Sequence, residues 1–185
     1  MKAKKLTLIV CAAVLAIACV AGTIAYFTSS DSTEQVFTVG KVEIELSDIP
    51  TTEKLVPAKT YTAAPVVTVK KGSEDAYVFV KLVNGLHGGE KSGSEIETQM
   101  RASGTVWTLF TDDGDGNVVY TYKYTSDKDN DKKLPTFTSY TVDPKLDNTK
   151  IQAYDGEKIE VYAYAIQAEG FADADAAWAG LGFTK

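Results

Sequence analysis

The chain has 185 residues, 44% of them hydrophobic, and carries 19 Lys plus Arg against 25 Asp plus Glu for a net charge of −6. That length suits one domain and excludes a multidomain machine. Phosphate affinity needs clustered Lys and Arg, so the acidic balance argues against a nucleic-acid partner. One histidine, His87, and two cysteines, Cys11 and Cys19, leave most metal and thiol chemistry short of ligands.

The N-terminus reads as a secretory signal. Met1 to Lys5 are basic, Leu6 to Gly22 hold no charge, and Thr23-Ile24-Ala25 supplies the small residues that a signal peptidase reads. Cleavage between Ala25 and Tyr26 leaves 160 residues, and loss of Lys2, Lys4 and Lys5 takes the net charge to −9. Two other readings stand beside it: an uncleaved anchor, since 17 apolar residues approach the length of a membrane span, and lipidation of Cys19. Membrane association is expected only through the precursor's signal segment. A cleaved product contains no cysteine, so its core must hold it together without disulfides.

Tyr26 to Glu34 is polar, with two aromatics at its tip, and reads as an arm. Alternation begins beyond it, with Val42, Ile44 and Leu46 on one face of a strand that starts near Gln35 and bends at Gly40. Pro50 to Thr60 is a connection. Pro65 to Val69 and Ala76 to Val83, parted by the turn Lys71 to Asp75, read as two strands. Asn84 to Gly93 is a glycine-rich loop. Ser94, with Glu97 three residues on and Ile96 and Met100 four apart, predicts a capped short helix. Trp107 to Thr111 and Val118 to Thr125 flank Asp112 to Asn117, a hairpin turn, and Val118, Tyr120, Tyr122 and Tyr124 share a face. Ser126 to Lys133 is a charged loop, followed by a strand over Thr136 to Val142 and a polar stretch over Asp143 to Glu157. Lys158 to Ala168, apolar nearly throughout, predicts a central strand buried on both faces. Ala172 to Ala179, with Asp173 at its start and Gly180 and Gly182 after it, predicts a short helix whose Trp178 faces the barrel. The sum is an all-β chain, a jelly roll or β-sandwich of about seven to eight strands with short peripheral helices.

Ala21 to Thr28, Phe37-Thr38-Val39-Gly40 before an alternating strand, Ala64 to Val69 with Gly72 to Val78, and Tyr164 to Phe171 with Ala177-Trp178 behind it form a set of stretches. Together they resemble the TasA/camelysin family of Gram-positive bacteria. Residues 84 to 158 carry little of the likeness. The resemblance implies a signal peptide processed by a SipW-type peptidase, a jelly-roll fold, and secretion to the extracellular matrix or cell surface. It also implies assembly with itself into biofilm fibres, or association with other matrix proteins. Residues 1–25 would then be the signal, 26–36 an arm acting as donor strand, and 37–185 the sandwich, with Tyr26, Phe27 and Val36 as the arm's anchors. A monomeric adhesin or carbohydrate-binding sandwich is the alternative, and a camelysin-like metalloprotease a third.

The residues give the protease little support. There is no His-Glu-x-x-His pair, and His87, beside Gly88-Gly89 in its loop, reads as a plain exposed residue. No cofactor is expected, with one open alternative. Asp113, Asp115 and Asn117, and again Asp127, Asp129 and Asp131, have the spacing of a calcium loop. The sixth and twelfth positions depart from an EF-hand in both: Val118 and Tyr124, then Lys132 and Thr138. They read as solvated turns first and as weak calcium sites second. The tyrosine row reads as core or cross-strand ladder before ligand-binding face. With a single loop histidine, no Ser-His-Asp arrangement can be nominated.

Overall fold

A computed structural model describes residues 41–47, 54–102 and 107–184. Ala25, Tyr26, Phe27 and Val36, with the expected cleavage point, arm and domain boundary, lie outside the described residues. The described part is predominantly β, with nine strands: β1 (Ile44–Leu46), β2 (Thr60–Thr62), β3 (Val66–Val69), β4 (Ala76–Asn84), β5 (Thr108–Asp112), β6 (Asn117–Tyr124), β7 (Lys132–Pro135), β8 (Ser139–Thr141) and β9 (Ile159–Gln167). Two helices accompany them, α1 (Glu95–Ala102) and α2 (Ala174–Gly180), with one 3-10 turn at Ile151–Tyr154.

All pairings are antiparallel. A four-stranded sheet runs β5-β6-β4-β9, a three-stranded one β1-β3-β7, and β2 pairs with β8. The register of β4 follows from its period of two. Ala76, Val78 and Val80 turn to one face and Tyr77 and Phe79 to the other, and all five are buried. The first face meets Val67, Val69 and Leu134 of the three-stranded sheet, together with Tyr120 and Tyr124 of β6. A strand flanked on both sides and apolar on both faces cannot slip by one residue without exposing one set, so β4 fixes the sheet.

The second face is covered by α2. Asp173 caps that helix by accepting the Ala176 N–H at 2.9 Å, and Trp178 lies against Phe79 (5.0 Å between ring centroids), Phe110 (5.8 Å) and Tyr164 (6.0 Å). Phe183 stacks on the same indole at 4.5 Å. A third apolar group gathers Leu82, Leu86, Ile96, Phe137, Tyr140 and Val142 beneath α1 and the β2-β8 pair.

Three expectations are corrected here. The Lys158 to Ala168 strand is β9, and among the described residues it is the outer strand of its sheet, half-buried along most of its length. It is apolar on both faces because Val161, Ala163 and Ala165 join the inter-sheet core while Tyr164 and Ile166 meet the α2 aromatics. The expected strand Thr136 to Val142 shortens to β8 (Ser139–Thr141), and a separate strand precedes it. Lys132–Pro135, assigned in part to the charged loop, pairs with β3 through a segment in which only Leu134 is buried. The connection Pro50 to Thr60 ends in a strand: Thr60–Thr62 pairs with β8, helped by Tyr61 stacked on Tyr140 at 5.3 Å.

Candidate functional site

The loop between β4 and α1, the first turns of α1 and the β5-β6 hairpin meet around a group of buried polar side chains. Asn84 ends β4 with 3% of its surface exposed, and Glu90 and Glu97 are as deeply buried. The Asn84 amide donates to Glu90 Oε1 at 2.5 Å and Glu97 Oε1 at 3.1 Å, while its Oδ1 accepts the Leu86 N–H. Glu90 Oε2 accepts the Ile96 N–H at 2.8 Å, which satisfies a donor left open in the first turn of α1. Burial pushes the Glu90 carboxyl above its usual range, and the Glu97 charge adds to the effect, against the hydrogen bonds from Asn84 and Ile96.

The Ser94 and Glu97 pair therefore caps differently from the expectation. Glu97 turns inward, to Asn84 and to His87, whose Nδ1 lies 3.1 Å from Glu97 Oε1. Glu95, one turn end nearer, accepts the Thr141 N–H instead. His87 is thus not a plain exposed residue: its side chain is one-third exposed and pinned over a buried carboxylate. Its seat depends on Gly116 in the hairpin, at φ +91°, where an added Cβ would stand 2.8 Å from His87 Cβ and 2.7 Å from Asn84 O. Only the missing side chain lets the hairpin approach that closely.

A cleft of about 230 Å³ opens beside this group, with His87, Ser94, Glu97, Thr98, Arg101 and Asp112 among its lining residues. Arg101 donates to Asp112 Oδ2 at 2.5 Å, so those two charges cancel on its rim. Arg101 is also held in its charged form by the Tyr120 hydroxyl, and burial pushes that hydroxyl up. Glu97 Oε2 has no hydrogen-bond partner among the described residues, although only 4% of the side chain is exposed.

The aspartates expected as turns or calcium ligands sit at the two ends of β6, about 23 Å of strand apart at ~3.3 Å per residue. At one end Asp113 accepts the N–H groups of Asp115 and Asn117 and the Asn117 amide, which holds its carboxyl below the usual range. At the other end Asp127 accepts from the N–H groups of Asp129 and Asn130, and Asp131 accepts the Lys71 N–H and faces Lys70 at 3.7 Å. Asp113 and Asp127 are engaged in folding their own loops, and Asp131 ties its loop to the turn between β3 and β4. Among the described residues no group of three His, Cys, Asp or Glu is arranged to hold a metal ion. The tyrosine row is core: Tyr120 and Tyr124 are buried and Tyr122 packs against them.

His87 was visible in the sequence as the sole histidine, but its tie to Glu97 was not, because helix spacing predicted an outward capping role for that glutamate. No described helix is long and apolar enough to cross a membrane. No family model matches the chain, and no curated protein or solved structure matches it either.

Proposed function

We propose that this is a secreted structural protein of the extracellular matrix or cell surface of a Gram-positive bacterium, a jelly-roll β-sandwich that assembles with its own copies by strand addition. The SipW-type signal is its route out, and Tyr26 to Val36 of one copy is the strand that completes the next. No catalytic role is assigned to it. The observation that carries this reading is the edge of the four-stranded sheet. Strands that must not pair are short, bulged, or studded with lysine and proline. The outer strand β5 is bulged between Leu109 and Thr111, β1 has three residues, and β7 reads Lys-Lys-Leu-Pro. β9 has none of these devices. It runs nine residues in unbroken register with β4, and among the described residues its only ladder is with β4, although β1 lies close to it. Such an edge offers backbone hydrogen bonds and alternate pockets to an incoming strand.

The test is polymerisation of mature protein with and without Tyr26 to Glu34, followed by light scattering and electron microscopy, with circular dichroism to confirm that both are folded. Fibres from the full-length form alone support the reading. Equal fibre formation by both removes strand exchange by the arm, and no fibres from either, in conditions spanning salt and pH, turns the assignment to the monomeric surface adhesin.

A further inference from the structure

Asn84-Gly85 is the only Asn-Gly pair in the chain. In such a pair the glycine nitrogen can attack the asparagine side-chain amide and close a five-membered ring, and glycine, lacking Cβ, hinders that approach least. The fold needs both residues where they stand. Asn84 is the double donor between the buried Glu90 and Glu97. Gly85 meets the backbone leading into β9, where an added Cβ would stand 2.7 Å from Lys158 O and 2.9 Å from Lys158 N. A side chain that would slow the ring closure therefore finds no room at this position.

The same contacts keep the pair inert while the chain is folded. The Gly85 N–H donates to Lys158 O at 2.9 Å, and it must give up that bond before its nitrogen can act as a nucleophile. Asn84 Oδ1 accepts the Leu86 N–H at 3.1 Å while Nδ2 donates to both carboxyl groups, so the side chain turns toward its own backbone only by breaking three hydrogen bonds. Attack also builds negative charge on Oδ1, which Asn84, 3% exposed, would carry away from water.

We propose that Asn84 is a deamidation site that the folded chain holds shut and that opening of the loop between β4 and α1 exposes. Water is the one co-reactant. The Gly85 N–Cγ bond forms as the Cγ–Nδ2 bond breaks, and the Gly85 proton ends on the departing ammonia. Water then opens the ring at one carbonyl to leave aspartate, or at the other to leave isoaspartate. Neither product fits the old site. Aspartate puts an acceptor where both glutamates take a donor and brings three carboxyl groups together below the surface, and isoaspartate adds a backbone carbon where β4 ends. A chain that reacts while open is hindered from closing again, so the change accumulates with time spent open.

The experiment incubates the purified protein in mildly alkaline buffer, with and without denaturing guanidinium chloride, and follows each asparagine by peptide mass spectrometry. Trypsin isolates Asn84 in the peptide Leu82 to Lys91, and Asn117, Asn130 and Asn148 serve as internal standards. In denaturant Asn84 should convert roughly tenfold faster, or more, than any of the other three, and faster by a similar factor than it does in the folded protein. Gly85→Ala, measured only in denaturant, where its fit to the fold is irrelevant, should slow the conversion severalfold. Asn84→Asp, which makes the product directly, should unfold at a lower urea concentration than wild type or fail to fold. The proposal is overturned if Asn84 reacts as fast in the folded protein as in denaturant, or if in denaturant it reacts no faster than the other asparagines. It is also overturned if Gly85→Ala leaves the rate in denaturant unchanged, or if Asn84→Asp is as stable as wild type.

Discussion

Glu90 carries a load unusual for a glutamate. It is 1% exposed, ties the end of β4 to the start of α1, and titrates above its ordinary 4.5 because burial disfavours the charge. The folded chain therefore holds that proton more tightly than the unfolded chain does. The stability this adds is whole below about pH 4.5 and is lost as pH climbs through the raised value. Urea denaturation of wild type and Glu90→Gln from pH 4 upward should show the difference between them shifting against wild type as pH rises; a flat difference would contradict it. Asp113 works with the opposite sign. Its depressed carboxyl supports the turn above its usual 3.8 and stops doing so as pH falls through the lower value. Asp113→Ala should cost about 0.5–1 kcal/mol at neutral pH, a modest figure because the group is exposed and screened, and the cost should shrink in acid.

At the scale of elements, the hairpin and α2 are the joints that position the rest. Gly116→Ala should destabilise by more than about 1 kcal/mol, since it strains a left-handed backbone and drives a Cβ into Asn84 and His87; the His87 ring resonances should move with it. Trp178→Ala should cost about 3–5 kcal/mol, because the indole touches Phe79, Phe110, Tyr164 and Phe183 and little else can fill its space. Much of this was legible beforehand. The Asp112 to Asn117 turn, the buried tyrosine row and the Asp173 cap follow from turn chemistry and period alone. What misled was apolar content read without topology. β9 is apolar on both faces because a helix covers one of them, and that covering leaves the same trace in sequence as a second flanking strand. β2 and β7 were missed because Thr-Tyr-Thr and Lys-Lys-Leu-Pro spend few residues on the core, and a strand of three or four residues is held by its partner, not by its own pattern. The Glu97 to His87 tie depends on where a loop folds back, which no local spacing encodes.

Across the molecule the two aspartate turns and the β9 edge bear on different questions. If the turns fold themselves, as their hydrogen bonds indicate, a site with Kd near 1 mM would add only about 0.4 kcal/mol at 1 mM calcium. Chelator and calcium should then shift the melting temperature by no more than a degree or two, and a large loss in EDTA that calcium restores would make ligands of Asp113 or Asp127. The edge can be tested without touching the arm. Tyr162 is 41% exposed on β9 and lies opposite Lys81 of β4. Tyr162→Lys charges the edge beside Glu160, whose interaction with Tyr162 it replaces by an ion pair, so the monomer should stay folded while fibre growth slows. Unchanged growth would mean that β9 is not the acceptor.

The two tryptophans make the layers separately observable. Trp107, its Nε1–H donating to Pro135 O at 2.8 Å, belongs to the core between the sheets, whereas Trp178 belongs to the layer beneath α2. They are the chain's only two indoles, one on each side of the same sheet. Replacing either by phenylalanine leaves a single fluorophore that reports on one layer. The pair of variants would therefore show by emission alone whether the helix peels away before the sheets part, or whether both layers are lost in one step.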